Sequence, residues 1–140
     1  MVVKVMRRPT ILMIGFAVVY AVAVLGAQKP GGDAKAKALK NPEAANAASI
    51  ATGKDLYELN CMFCHGEKGL GDGMMAPAGT ANLVDGEWKY GSTDGEIFTL
   101  IKNGVGPAFD MPPGGETLSD TQIWHVVNYL RSIGPKGVKR

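Results

Sequence analysis

The chain has 140 residues, 46% of them hydrophobic and 20% charged, with a formal net charge of +2. That length suits one modest domain with its appendages, and two cysteines are too few for a disulfide framework. The charge is unevenly spread: between Ser49 and Gly134, Lys54, Lys68, Lys89, Lys102 and Arg131 stand against eleven carboxylates, a net of −6. An acidic body with no basic patch excludes nucleic acid as a partner.

The chain opens with Lys4, Arg7 and Arg8, followed by an apolar run from Ile11 to Ala27. A basic start before an apolar run is the pattern of an export signal, here residues 1–27, with small-residue cleavage sites around Val24–Ala27. Spanning a bilayer takes roughly 20 apolar residues, so this run is slightly short for an anchor. Retention as an uncleaved N-terminal anchor is the competing reading, and membrane contact is expected only in that case. The expected location is outside the cytoplasm, in a bacterial periplasm.

Residues 28–48 are rich in Ala, Lys, Asn, Gly and Pro and carry almost no large apolar side chain. They read as a flexible linker, disordered or at most a frayed helix. The folded part is then residues 49–134, and residues 135–140 form a basic tail with Lys136, Lys139 and Arg140.

Three helices have start and stop signals. The first is expected over Ala47 to Asn60, with Asn46 or Ser49 as its cap and Ile50, Gly53, Leu56 and Tyr57 on one side. The second spans Asp94 to Asn103, opened by a Thr93/Glu96 capping box and closed by Gly104. The third spans Asp120 to Ile133, opened by Ser119 with Gln122 and closed by Gly134-Pro135. Its core stripe is Ile123, Val126, Val127, Leu130 and Ile133. No alternating strand pattern is present, so the predicted class is all-α with long loops.

Between the first two helices stands Cys61-Met62-Phe63-Cys64-His65. Two thiols three positions apart, with an imidazole directly after the second, have the spacing of covalent c-type haem attachment. On one helical turn both thiols can add to haem vinyl groups, and His65 lies beneath the ring where a nitrogen reaches the iron. A thiol redox pair wants a strand–helix–strand context that is missing here. A zinc site wants a fourth ligand, for which only His125 remains. A plain disulfide leaves His65 without a purpose. Haem also accounts for the glycine-rich stretch from Gly66 to Gly91, because irregular chain can wrap a rigid plate. The same bonding turns cofactor binding into folding energy, so the haem-free chain is expected to fold poorly.

Candidates for the other axial position are Met74, Met75, Met111 and His125. At about 100° per residue His125 points away from the core stripe of its helix, towards solvent. Met74 and Met75 lie in flexible glycine-rich chain and read as gap-fillers against the haem edge. Met111 sits in Asp110-Met111-Pro112-Pro113-Gly114, where prolines fix φ and hold a thioether with less entropy lost. Met111 is therefore the expected distal ligand, with His65, of the iron. Trp88 and Tyr90 are possible donors to haem propionates or simple packing residues.

With these residues in place the chain resembles class I, single-haem cytochromes c, in particular the small domains akin to the haem subunit of cbb3-type oxidases. The resemblance runs from about Ser49 to Ile133. It rests on Ser49-Ile50-Ala51-Thr52-Gly53-Lys54, Cys61-x-x-Cys64-His65-Gly66, Gly69-x-Gly71-Asp72-Gly73, Met111-Pro112-Pro113 and Leu118-Ser119-Asp120 with the helix that follows. It implies that the first and third helices cross, Gly53 and Tyr57 meeting Val126 and Tyr129. It also implies a proline carbonyl that receives the ring N–H of His65, for which Pro77 is the nearest candidate.

His/Met ligation closes the iron to substrate, so the expected function is one-electron transfer between exported or membrane-bound redox protein partners rather than catalysis. A peroxidase-like role would need an open iron face and a placed acid–base group. A fixed electron-entry subunit of a dehydrogenase or terminal oxidase complex is the alternative, using the same chemistry with a permanent partner.

Overall fold

A computed structural model of the chain describes residues 32–86, 88–106 and 110–135. The expected export segment, the first residues of the linker and the basic tail lie outside the described residues. Described elements, in chain order, are α1 (Ala34–Ala38), α2 (Ala47–Asn60), α3 (Met62–His65), α4 (Asp94–Asn103), a 3-10 turn (Gly114–Glu116) and α5 (Asp120–Ile133). Among the described residues there is no strand, only an isolated antiparallel bridge between Val105 and Met111. The class is all-α.

The three predicted helices form over the predicted spans because their ends are written locally. Asn46 caps α2 through Ser49 N, and Thr93 and Ser119 open α4 and α5 with complete capping boxes. Each box satisfies two backbone N–H groups that a helix start leaves without partners. Glu96 serves its box from a buried position, 6% exposed, its carboxylate accepting from Thr93 N at 2.9 Å and Thr93 Oγ1 at 2.7 Å.

The core lies where α5 meets α2 and α4. Tyr57, Ile123, Val126 and Val127 are almost wholly buried, and Ile97, Phe98, Ile101, Trp124 and Leu130 extend the cluster. Phe98 and Trp124 stack at 4.1 Å, and Tyr57 and Tyr129 meet at 5.2 Å across the α2–α5 crossing. Gly53 makes the crossing possible. A Cβ there would drive into the His125 carbonyl and come within 2.9 Å of Tyr129 Cβ. The expected contact with Tyr129 is present, and the His125 carbonyl also lies against Gly53, with Tyr57 and Val126 in the same core cluster.

Two expectations fail here. From Gly32 on, the stretch expected to be a flexible linker is packed against the domain. Asp33 caps α1, Ala36 is buried at 4% exposure, and Gly95 on α4 lets the Ala36 carbonyl and Leu39 approach. Beyond α1, Asn41 Nδ2 donates to Asn128 Oδ1 at 2.9 Å, and Asn128 Nδ2 donates to the Glu43 carbonyl at 3.2 Å. Small side chains and amide bonds do the docking, so the lack of bulky apolar residues was a poor guide. His125 is also not turned to solvent: it is half-buried, with Nδ1 2.7 Å from Ser49 Oγ. The crossing encloses it because Gly53 brings α2 so close.

Candidate haem site

α3 is a single turn following directly on α2, with Cys61 as the joint between them. The chain bends there, and Cys61 N still donates to the Tyr57 carbonyl at 2.8 Å. Cys64 and His65 both donate to the Cys61 carbonyl, at 3.2 and 2.9 Å, which puts the two thiols and the imidazole on one turn. Both cysteines are free and half-buried.

The end of α3 would leave carbonyls without partners, and the glycine-rich chain that follows supplies them. Gly71 N donates to the His65 carbonyl at 2.9 Å, Gly73 N to Cys64 at 3.1 Å and Met75 N to Phe63 at 2.9 Å. Gly66, at φ 78°, makes the sharp exit from α3, and its carbonyl accepts from Tyr57 Oη at 2.6 Å. This buried bond ties the haem-attachment turn to the α2–α5 core. The irregular stretch is thus held largely by its own backbone bonds around α3.

His65 Nδ1 lies 3.2 Å from the Ala81 carbonyl. A carbonyl can only accept, so Nδ1 carries the proton and Nε2 keeps its lone pair, the tautomer a metal ligand needs. The acceptor is Ala81 rather than Pro77, whose carbonyl instead receives Thr80 N at 3.1 Å and Thr80 Oγ1 at 2.8 Å. Burial lowers the His65 pKa and the Ala81 bond opposes it, so the ring stays neutral near pH 7. Burial, with the Cys64 thiol beside it, pushes the Cys61 thiol up to about 11. Among the described residues nothing lowers that pKa, so the folded chain does not activate the thiol.

Met111 stands on a different connection, between α4 and the 3-10 turn. Val105 N donates to the Met111 carbonyl at 2.9 Å. Gly104, at φ 72°, allows the close approach, since a Cβ there would fall 2.5 Å from that carbonyl and 2.9 Å from Pro113 N. The stiffness expected from the prolines is therefore reinforced by the cap of α4. Met111 is half-buried against the same core cluster as Cys61 and Trp88. Met74 and Met75 are 86% and 67% exposed among the described residues, in contrast to half-buried Met111.

Trp88 was only one of two possible propionate donors in the sequence, and the structure separates it from Tyr90. Its indole Nε1 is buried and has no hydrogen-bond partner among the described residues. An orphaned buried donor costs about 1–3 kcal/mol unless something accepts from it. A haem carboxylate would do so. The residues present therefore fit a haem: two thiols and an imidazole on one turn, a thioether packed on the same core, and an unused buried donor.

These features define a small all-α cytochrome c fold with a c-type attachment turn. Residues 48–130 match the family described as cytochrome c oxidase, cbb3-type, subunit III. The chain belongs to that family. It is 38% identical over 82 residues to the cbb3-type cytochrome c oxidase subunit FixP of Azorhizobium caulinodans, covering 59% of this chain and 26% of that one. It is 36% identical over 95 residues to subunit CcoP of Rhodobacter capsulatus, covering 64% and 31%. The chain thus spans about a quarter to a third of these curated relatives. Among solved structures it is similar to the reducing HAO-like protein complex of Kuenenia stuttgartiensis (TM-score 0.59, 26% identity, 70% of this chain and 48% of that one). It is also similar to cytochrome cL of Methylophaga aminisulfidivorans (TM-score 0.54, 25% identity, 64% and 55%). The cofactor is a covalently bound c-type haem with its iron.

Proposed function

We propose that Cys61 and Cys64 hold the haem through two thioethers, that His65 and Met111 ligate its iron, and that the domain relays single electrons between protein partners outside the cytoplasm. The observation that carries the reading is the Cys61–His65 turn with His65 Nδ1 held by the Ala81 carbonyl. When bound, the haem supplies reversible one-electron chemistry at iron. The chain's own residues do the rest. Ala81 keeps the proton on Nδ1 and orients the imidazole, Met111 would favour the reduced iron, and Trp88 Nε1 would be free to donate to a propionate. With His65 and Met111 both ligating, the iron would have no coordination position left for a substrate. His125, the remaining histidine, is engaged by Ser49 at the helix crossing, which argues against an acid–base role beside the iron. Gly32–Ala45 belong to the same folding unit as residues 49–134, with any retained N-terminal anchor joined to it.

A second reading is favoured by the relatives' names: the domain is a fixed electron-entry subunit of a terminal oxidase complex. Mass spectrometry of the mature chain from an export-competent host tests attachment and anchoring together. The expected mass includes one haem that survives acid–organic extraction, and complete extraction would refute the thioethers. A retained N-terminal segment, with co-purification of membrane subunits, would favour the fixed-subunit reading. For the distal ligand, Met111→Ala should abolish the sulfur–iron charge-transfer band and open the iron to carbon monoxide, while Met74→Leu and Met75→Leu should not. The reverse result would move the ligand to the 74–75 stretch.

A further inference from the structure

Resting on the electron-carrier reading, we infer that the side of α3 turned away from the haem is the docking surface for a basic redox partner, and that a cavity there receives a lysine or arginine side chain of that partner. The cavity measures about 300 Å3, opens to solvent, and is lined by Met62, Phe63, Gly66, Glu67, Asp72 and Met74 among others. Neither Cys61, Cys64 nor His65 lines it. At about 100° per residue, Met62, Phe63 and Gly66 share a face opposite to the one formed by Cys61, Cys64 and His65. The cavity and the three residues that would hold a haem thus lie on opposite sides of α3.

The surroundings point to a protein. Of the six large hydrophobic side chains exposed among the described residues, Leu59, Phe63, Leu70, Met74 and Met75 fall within residues 59–75. Of these, Phe63 and Met74 line the cavity itself and give it an apolar wall of the kind found at interaction faces. The two carboxylates point to the charge of the partner. Glu67 and Asp72 are exposed and pair with no described cation, not even the adjacent Lys68. A cationic side chain entering the cavity would meet both carboxylates, the face of Phe63 and the Met74 thioether, a combination that suits a guanidinium or ammonium group. Without these two carboxylates residues 49–134 still carry a net charge of −4, the same sign at longer range. Phe63 and Cys64 are neighbours in the chain, so a partner seated here lies one residue from a haem thioether.

The test is the rate at which the reduced full-length holoprotein passes electrons to oxidised lysine-rich mitochondrial cytochrome c, followed by stopped flow across a salt series. Glu67→Gln with Asp72→Asn should slow the second-order rate about tenfold at low salt, the difference shrinking as salt screens it. Glu43→Gln with Glu116→Gln removes the same charge elsewhere and should change the rate less than twofold. With the acidic acceptor plastocyanin the first double variant should be unchanged or faster. Unaltered haem spectra and midpoint potentials establish that the variants are intact. Where the double variant takes up no haem, Glu67→Lys alone, expected to slow transfer at least as much, replaces it. Equal rates for the two double variants, or for wild type and Glu67→Lys, would overturn the docking surface while leaving the electron carrier standing. A wild-type haem that cannot be cycled between oxidation states would overturn both.

Discussion

The α2–α5 crossing and the loop from Gly66 to Gly86 hold themselves in opposite ways. At the crossing, side chains carry the structure: Tyr57, Ile123, Val126 and Val127 are almost wholly buried. In the loop, Leu83 is the one large apolar side chain described as buried, and backbone amides and carbonyls carry the structure instead. The crossing is a finished interior, whereas the loop is shaped around α3 by its own backbone bonds. Tyr57 joins the two regions, its ring in one and its hydroxyl bonded to Gly66 in the other.

The comparison is broken most sharply at the crossing. Ile123→Ala should cost about 2–5 kcal/mol, through lost burial and the cavity left behind. That is measured as a fall in the thermal midpoint of the holoprotein, and a drop under 1 kcal/mol would contradict the tight interior described above. Arg131→Met comes next. Arg131 Nε donates to Asp94 at 2.7 Å, its guanidinium also reaches the Ser92 carbonyl, and the paired side chains are only 10% and 18% exposed. Breaking a fully buried pair costs roughly 3–5 kcal/mol, so about 2 kcal/mol is expected here. Lys102→Met breaks a pair that is 41% and 60% exposed and should cost below about 1 kcal/mol.

Tyr57→Phe tests the joint. It leaves the Gly66 carbonyl buried without its donor, an expected loss of about 1–3 kcal/mol. It also carries a pH signature. Burial raises the Tyr57 pKa in the folded chain well above the ordinary tyrosine value. The group therefore stabilises the fold fully below pH about 10, and that contribution is lost as pH climbs from there towards the folded value. Wild type should lose stability above pH 10 faster than Tyr57→Phe does, and parallel alkaline curves would remove Tyr57 from the account.

The smallest change concerns the loop alone. A Cβ on Gly71, already at φ 77°, would sit 2.7 Å from the Thr80 carbonyl and 3.0 Å from that of Ala81. Gly71→Ala should push the Ala81 carbonyl off His65 Nδ1, weaken electron donation from the imidazole and raise the midpoint potential, with covalent haem retained. An unchanged potential would mean that Ala81 does not tune the iron.

By itself the sequence determined the three long helices to the residue, because capping boxes and closing glycines act within a few positions of the ends they set. It also determined the all-α class, through the absence of any alternating pattern, and it set two thiols and an imidazole at the spacing of a single helical turn. Tertiary structure alone decided the acceptor for His65, since a backbone carbonyl sixteen residues away has no side-chain signature, and Pro77 and Ala81 are told apart only by where the loop turns. The same holds for His125, which helical periodicity turned to solvent and the Gly53 approach enclosed. It holds too for the segment from Gly32 to Ala45, whose composition reads as a tether. Contacts between Ala36 and Gly95, or Asn41 and Asn128, join positions some sixty and ninety residues apart, and nothing in either local stretch announces them.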